Sequence, residues 1–124
     1  MEQKFYVCSH CGNIIAKVKD AGVPVMCCGQ KMQEIVPNTT DAAQEKHVPK
    51  YTVANNKVIV DIGSVAHPMI EAHYIEWVSL QTNLGNQRKV LNPNDAPHVE
   101  FAILDGEKVE AVYAYCNLHG LWKA

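Results

Sequence analysis

The five cysteines of this chain fall into two groups that differ in position and spacing. Four of them lie near the start, as the Cys-x-x-Cys pair Cys8 and Cys11 and as the adjacent pair Cys27 and Cys28. Four thiolates complete a tetrahedral metal site. The fifth, Cys116, lies near the other end, three residues before a histidine. The pattern therefore predicts two metal centres of different character.

The adjacent cysteines restrict the geometry of the first centre. Successive side chains normally diverge, so two neighbouring sulfur ligands should strain the backbone, and Gly12 and Gly29, which follow the two halves of the site, allow tight turns there. Three interpretations fit the spacing: an iron site, a structural zinc site, or a disulfide between Cys27 and Cys28 with two spectator thiols. Sulfur spacing alone does not separate iron from zinc.

Histidines supply the candidate partners of the remote cysteine. His67 precedes a proline, which favours an extended backbone, and His73 begins a strand-like run. His10, between two thiolate ligands, and His98, in a loop rich in Asn, Asp and Pro, are expected at the surface. The predicted second site consists of His47, His67, His73, His119 and Cys116.

This second ligand set points to iron chemistry. Four neutral imidazoles and one thiolate exceed what a zinc site or a blue copper centre uses. Five ligands in an octahedral frame leave one position open, and a thiolate opposite that position pushes electron density toward whatever binds there. Because four of the five ligands are neutral, a ferrous ion keeps a net positive charge, which favours a small anion.

Strands rather than helices must position these ligands. From residue 49 onward apolar residues recur with period two, which is typical of β-strands. Asp105 and Gly106 both tolerate positive φ and predict a two-residue hairpin. Several short strands separated by turn residues predict an antiparallel β-sandwich, whose strand ends and loops gather at one rim. The predicted strands cover residues 57–62, 73–80, 99–104 and 108–116.

The chain divides near Pro37. Residues 1–36 contain strand-like runs at 5–7 and 14–18 but too few large apolar side chains for a core, so metal must supply the missing stability, on the order of 10 kcal/mol for structural four-thiolate sites. Residues 37–47 are polar and aperiodic and are predicted to form a linker that leads into the first histidine ligand. Residues 48–124 are the predicted sandwich domain.

Composition excludes some function classes. A formal charge of −2 with 19% charged residues leaves no basic stripe for a nucleic-acid binder. No stretch approaches the roughly 18 apolar residues that span a bilayer, and the first residues do not resemble a signal peptide. We therefore expect a soluble cytoplasmic protein, in a reducing compartment where clustered thiols hold metal rather than form disulfides.

Four motifs in order resemble the desulfoferrodoxin family, the two-iron form of superoxide reductase. They are the cysteines at 8, 11, 27 and 28, residues 45–49 (Glu-Lys-His-Val-Pro), residues 67–77 (His-Pro-Met-Ile-Glu-Ala-His-Tyr-Ile-Glu-Trp) and residues 116–122 (Cys-Asn-Leu-His-Gly-Leu-Trp). The resemblance covers the whole chain. It implies a desulforedoxin-like or rubredoxin-like iron domain followed by an immunoglobulin-like sandwich.

The same resemblance assigns the ligands and the reaction. It implies a ferric four-cysteine centre and a catalytic iron whose plane is formed by four histidines, with Cys116 axial. It also implies one-electron reduction of superoxide to hydrogen peroxide, re-reduction by rubredoxin or a similar donor, and a homodimer. The rival hypothesis is a non-catalytic electron carrier or a metal-stapled binding module with a closed second site.

Two charged residues also take roles from the resemblance. Lys46 would steer the superoxide anion to the open position and hold water that delivers protons. Glu45 would occupy the open position of the oxidised metal after product leaves. For residues 1–36, electron relay and structural dimerisation remain competing roles.

Overall fold

Period-two alternation over short runs gives a structure that is nearly all β. The computed structural model describes residues 2–124, which form two units, one ending at Val36 and the other comprising Pro37–Ala124. The predicted fold class is confirmed. Within the described residues no helix has the length and apolar character needed to cross a bilayer.

The first unit consists of very short antiparallel strands joined by cysteine-bearing turns. Among its described residues, the large apolar side chains that are buried are Phe5 and Met32. One three-stranded sheet has the order β2-β1-β5, and β3 and β4 form a separate hairpin. The strands are β1 (Phe5–Val7), β2 (Ile14–Ala16), β3 (Met26–Cys27), β4 (Gln30–Lys31) and β5 (Gln33–Glu34).

The second unit is a seven-stranded sandwich of two antiparallel sheets, as in immunoglobulin-like domains. The sheets have the orders β10-β7-β6 and β12-β11-β8-β9. A one-turn helix, α1 (Gln44–His47), precedes them. The strands are β6 (Pro49–Ala54), β7 (Lys57–Ile62), β8 (Ile75–Thr82), β9 (Gly85–Val90), β10 (His98–Ala102), β11 (Val109–Cys116) and β12 (Gly120–Lys123).

The core lies between the two sheets. Alternate residues of β7, such as Val58 and Val60, face alternate residues of β8 and β11, and Phe101 of β10 is fully buried among them. Burying each such side chain contributes roughly 1.5–3 kcal/mol. Cys116 belongs to the same buried cluster. The core therefore extends to the end of β11, where the candidate ligands begin.

Three strands of the second unit were not predicted from the sequence. All six residues of β9 are exposed, and its side chains are mostly polar, so the strand carries no apolar alternation. β6 and β12 are likewise absent from the predicted set. The four predicted strands of the sandwich are present, with β7 at the predicted bounds, β8 and β10 shifted by one or two residues at both ends, and β11 beginning one residue later than predicted.

The hairpin predicted at Asp105 and Gly106 is wrong, although a turn does form there, with φ +82° at Gly106. The flanking strands lie in different sheets, since β10 pairs with β7 and β11 pairs with β8 and β12. A two-residue hairpin occurs instead at Asn55 and Asn56, between β6 and β7. Both asparagines have positive φ, 52° and 59°, as this turn requires.

Residues 37–47, predicted as a linker, lie within the second unit. Asn38 is hydrogen-bonded to β12. Its backbone N–H donates to Leu121 O at 3.0 Å, and its side chain donates to Lys123 O and accepts from Lys123 N. α1 then ends at His47, with Val48 as its C-cap, because Pro49 has no N–H to continue the helix. The segment thus carries His47 to the end of the sandwich.

Candidate metal centres

The first candidate centre is a cluster of four cysteine sulfurs. The Sγ atoms of Cys8, Cys11, Cys27 and Cys28 all lie within 4.8 Å of one another. The Cys27 and Cys28 sulfurs are 4.0 Å apart, about twice the S–S bond length of roughly 2.05 Å. All four side chains are free thiols. The arrangement is that of four separate sulfur ligands rather than a disulfide.

Turn geometry brings the adjacent pair to one point. Cys28 and Gly29 form the two-residue turn between β3 and β4, with φ +53° and +72°. A left-handed conformation costs a non-glycine residue roughly 1–2 kcal/mol. The strain expected for vicinal ligands is therefore present at Cys28, whereas Gly29 adopts its φ without cost.

The sulfurs of this cluster differ in acidity. The backbone N–H of Cys11 donates to Cys8 Sγ at 3.5 Å and is the main reason why the pKa of Cys8 falls to about 6. The pKa of Cys28 rises to about 12, chiefly because its thiol interacts with the Cys11 sulfur. Thiolates this close repel one another. A bound cation removes that repulsion, so the donor set fits a metal ion.

The second candidate centre lies at one end of the sandwich. His47 ends α1, His67 and His73 lie in the loop from β7 to β8, and Cys116 ends β11. Their ligand atoms lie within 4.8 Å of one another. His119, in the turn before β12, places Nδ1 3.1 Å from His47 Nε2 and 3.8 Å from Cys116 Sγ. The structure thus brings all five predicted side chains together.

Backbone carbonyls fix the tautomers of two histidines. His47 Nδ1 donates to Ala43 O at 2.7 Å and His67 Nδ1 donates to Pro68 O at 2.6 Å, since a carbonyl only accepts. Each Nε2 of the neutral rings is then a lone-pair donor to metal, yet the two Nε2 atoms are 3.2 Å apart. Two lone pairs that face each other at this distance repel, and a cation bound between them would remove the repulsion.

His73 gives an independent sign that these residues fit a metal ion. Its Nε2 atom is buried and lacks a hydrogen-bond partner among the residues that the structure describes. A buried polar atom without a partner costs roughly 1–3 kcal/mol. Coordination of a metal ion would satisfy it, so the residues present fit the group.

The four imidazole rings form a square. Neighbouring rings have centroids 4.7 to 5.0 Å apart and cross at 74° to 88°, whereas His47 and His73 are 6.2 Å apart at 30°. His47 is therefore opposite His73, which leaves His67 opposite His119. The Cys116 sulfur is the remaining donor and lies against this group.

Burial favours the neutral form of three histidines, His47, His67 and His73. Desolvation lowers the pKa values of His47 and His73, and lowers that of His67 to about 4. Desolvation also raises the pKa of the buried Cys116 thiol, while N–H groups of Leu118 and His119 that point at the sulfur act against it. Neutral imidazole is the metal-binding form. The thiol needs a cation nearby to ionise fully.

Lys46 and Glu45 lie on α1, directly before His47, and both are exposed. The positive charge of Lys46 lowers the pKa values of His47 and His73, so its field reaches the centre. The negative charge of Glu45 raises the pKa of His47 and so opposes the effect of Lys46. It also lines an open cleft of about 400 Å³ with Gln44, Val48, Pro49, Lys50 and Ser64.

Two supporting side chains were not predicted from the sequence. Trp122 is buried, donates from Nε1 to His119 O at 3.1 Å and lies against the His47 ring at 4.9 Å. Asn117 accepts from Tyr74 N at 2.9 Å and donates to Ala72 O at 3.0 Å. Both lie within three residues of a ligand, but side-chain type alone does not show such contacts.

The remaining histidines lie elsewhere. His10 is exposed on the loop between two cysteines. His98 bonds Asp61 at 2.8 Å and Glu100 at 3.0 Å on an open sheet face. Hydrogen bonds to these two carboxylates raise its pKa, that of Glu100 contributing most.

Comparison with known proteins gives a consistent result. A family model described as Desulfoferrodoxin matches residues 39–124. The desulfoferrodoxin of Nitratidesulfovibrio vulgaris is 45% identical over 125 residues, covering 99% of this chain and 96% of that protein. The desulfoferrodoxin homolog of Archaeoglobus fulgidus is 46% identical over 119 residues, covering 96% of this chain and 94% of that protein.

Solved structures give the same picture. The superoxide reductase from Treponema pallidum matches with a TM-score of 0.84 at 39% identity, covering 100% of this chain and 99% of that one. The one-iron superoxide reductase from Giardia intestinalis matches with a TM-score of 0.55 at 36% identity, covering 64% of this chain and 95% of that one.

Proposed function

The chain belongs to the desulfoferrodoxin family, and from this membership we infer that it is a superoxide reductase with two iron centres. The observation that carries this function is the convergence of four imidazoles and the Cys116 sulfur at the end of the sandwich. Iron bound there in the ferrous state would supply the single electron that, with two protons, converts superoxide into hydrogen peroxide.

Each ligand has a proposed place. The four histidines of the square and the Cys116 sulfur would hold the catalytic iron. The alternation of ring planes around the square supports this assignment. The other iron would bind the four sulfurs of Cys8, Cys11, Cys27 and Cys28.

Lys46 is the proposed steering residue. Superoxide is an anion, and an exposed ammonium beside the centre raises its local concentration and its rate of encounter. The three N–H groups of the ammonium also donate hydrogen bonds to the anion and to the water that supplies protons. The effect of Lys46 on the pKa values of two histidines supports this placement.

Glu45 is proposed to cover the open side of the centre once the product has left. It is an exposed carboxylate two residues before His47 on the same helical turn. Being anionic, it would compete with a second anion for the vacated position. This role requires the side chain to reach the centre from the cleft that it lines.

Product stoichiometry tests the proposed function. We expect iron-loaded, reduced protein to consume a pulse of superoxide at a rate near 10⁸–10⁹ M⁻¹s⁻¹ and to yield one hydrogen peroxide per superoxide without dioxygen. Zinc-loaded protein is the control and should be inactive. Release of dioxygen would identify a dismutase instead, and an inert ferrous protein would support the rival electron carrier or binding module.

The electron donor and the assembly are also proposals. Turnover needs an external one-electron donor, and the family resemblance suggests rubredoxin. The resemblance also suggests a homodimer. A cytoplasmic location would keep the thiols reduced. Sedimentation of the iron-loaded protein tests the dimer, and stopped-flow re-reduction by rubredoxin tests the donor.

A further inference from the structure

We propose that Gly63 is a positioning residue for the reaction, because the space left by its missing side chain lets loop 62–65 press against the backbone of residues 45–48. That contact sets Lys46 and His47 in place together. The inference rests on the role proposed above for Lys46. Gly63 itself lies outside the set of ligands and charged residues.

The contact at Gly63 leaves no room for a side chain. A Cβ atom there would lie 2.7 Å from Glu45 O, 2.9 Å from Val48 O and 3.1 Å from the carbonyl carbon of Lys46. All three are backbone atoms, which cannot rotate away as a flexible side chain does. Gly63 is not among the glycines with positive φ. The glycine is therefore not required by a positive φ, and it permits the close approach of the two backbone segments.

The same loop captures a carbonyl that α1 leaves unpaired. In a longer helix Glu45 O would accept from the N–H of residue 49, but Pro49 has none. Val65 N donates to Glu45 O at 2.8 Å instead, and Ser64 Oγ donates to it at 3.3 Å. Two donors and one close packing contact thus fix the backbone that carries both charged residues.

The loop also delivers a ligand of its own. His67 N donates to Ile62 O at 2.8 Å, which closes the turn that begins at the end of β7. His67 and His47 are neighbours in the histidine square. The contact at Gly63 therefore couples the positions of His47 and His67 to the position of the Lys46 ammonium.

The first test compares Gly63→Ala with Gly106→Ala in zinc-loaded protein by amide hydrogen exchange. We expect the Val65 and Val48 amides, which donate to Glu45 O and Gln44 O, to exchange at least tenfold faster in Gly63→Ala. Gly106 has φ +82° and open space around its Cβ position, so Gly106→Ala should lower stability without changing these amides. Unchanged exchange in Gly63→Ala would overturn the proposal.

The second test places the variants in a double-mutant cycle in iron-loaded protein. We expect Gly63→Ala to slow the superoxide step about tenfold at low ionic strength and to weaken its salt dependence. On a Lys46→Ile background the same change should slow the step by less than twofold, because both act through one group. Fully additive slowing would contradict action through Lys46.

Failure of the proposal and failure of the proposed function are distinguishable. An active wild-type protein that Lys46→Ile slows but Gly63→Ala leaves unchanged would overturn only the role of Gly63. An inactive ferrous wild-type protein would overturn the function. If Gly63→Ala does not fold, Ser64→Ala removes one donor to Glu45 O and should shift both readouts in the same direction by a smaller factor; no shift would count against the proposal.

Discussion

The two metal centres differ in what surrounds them. The four-cysteine centre sits on turns of two-residue and three-residue strands, with Phe5 and Met32 as the buried large apolar side chains among the described residues of its unit. The histidine centre sits at the end of a sandwich whose core includes Cys116 but otherwise consists of buried apolar residues outside the centre. In the first unit metal binding must therefore hold the fold, whereas in the second the fold holds the metal site.

Metal removal should give the largest difference in stability between the two units. Chelation of both metals should unfold the first unit, because a four-thiolate site contributes on the order of 10 kcal/mol, and should leave the sandwich folded. Amide exchange measured residue by residue checks this, and adding zinc back should restore protection in residues 2–36. Persistent protection of β1 and β2 in the metal-free protein would break the comparison.

A core substitution should give the next largest effect. Phe101→Ala deletes a fully buried ring between the sheets and should destabilise the sandwich by about 3–5 kcal/mol. Urea unfolding followed by the fluorescence of Trp77 and Trp122 measures it. Leu104→Ala, at an exposed apolar position, is the matched control and should change stability by less than about 0.5 kcal/mol.

If Phe101→Ala left the sandwich stable only while its metal was bound, the second unit would depend on metal as the first does. The measurement should therefore be repeated on metal-free protein. If Phe101→Ala lowers the free energy of unfolding by the same amount with and without metal, the contrast between the two units becomes sharper.

Replacement of the steering ammonium should affect rate and not fold. Lys46→Ile should slow the superoxide step about tenfold, equivalent to about 1.4 kcal/mol, and flatten its dependence on ionic strength. Pulse radiolysis over a salt series measures both. Lys57→Ile is the control, since Lys57 begins β7, about 17 Å along the strand from Ile62, where the loop that carries His67 starts.

An unchanged rate in Lys46→Ile would show that the metal centre alone attracts the anion. Equal slowing in both lysine variants would point to net charge rather than position. Either result would show that Lys46 on α1 has no greater effect on the superoxide step than other surface charges of the second unit.

The smallest effect expected is a pH dependence at the surface of the sandwich. Hydrogen bonds to Glu100 and Asp61 raise the pKa of His98 above its unfolded value of 6.5. The stability from protonated His98 is therefore fully present below pH 6.5 and is lost as pH rises through the higher folded pKa. Solvent screening of these exposed groups keeps the effect small.

Urea midpoints of wild type and His98→Gln between pH 5.5 and pH 8 test this. The wild-type advantage should shrink as pH rises. An advantage that grew with pH would show that the pKa of His98 is lowered rather than raised on folding. No difference at any pH would show that the two hydrogen bonds do not contribute to stability in solution.

Prediction from the sequence succeeded where spacing or alternation is local. Cys8 and Cys11 lie on one turn, as do Cys116 and His119, so their nearness follows from chain geometry. β7 follows from strict alternation of buried residues. β9 escaped because an exposed edge strand needs no apolar face, and the Asp105–Gly106 turn was misassigned because a turn signal does not say which sheet the next strand joins.

The sequence by itself determined the ligand types, their grouping into two centres and the β class of the fold, because these depend on side-chain chemistry and on patterns within a few residues. Tertiary structure decided that His47, His67, His73 and His119 form a square beside Cys116, because that arrangement depends on pairing between strands far apart in the chain. It also decided which carbonyls orient His47 and His67, and that Gly63 lies against the backbone of Glu45. Every residue offers the same backbone groups, so only the folded chain selects which of them meet.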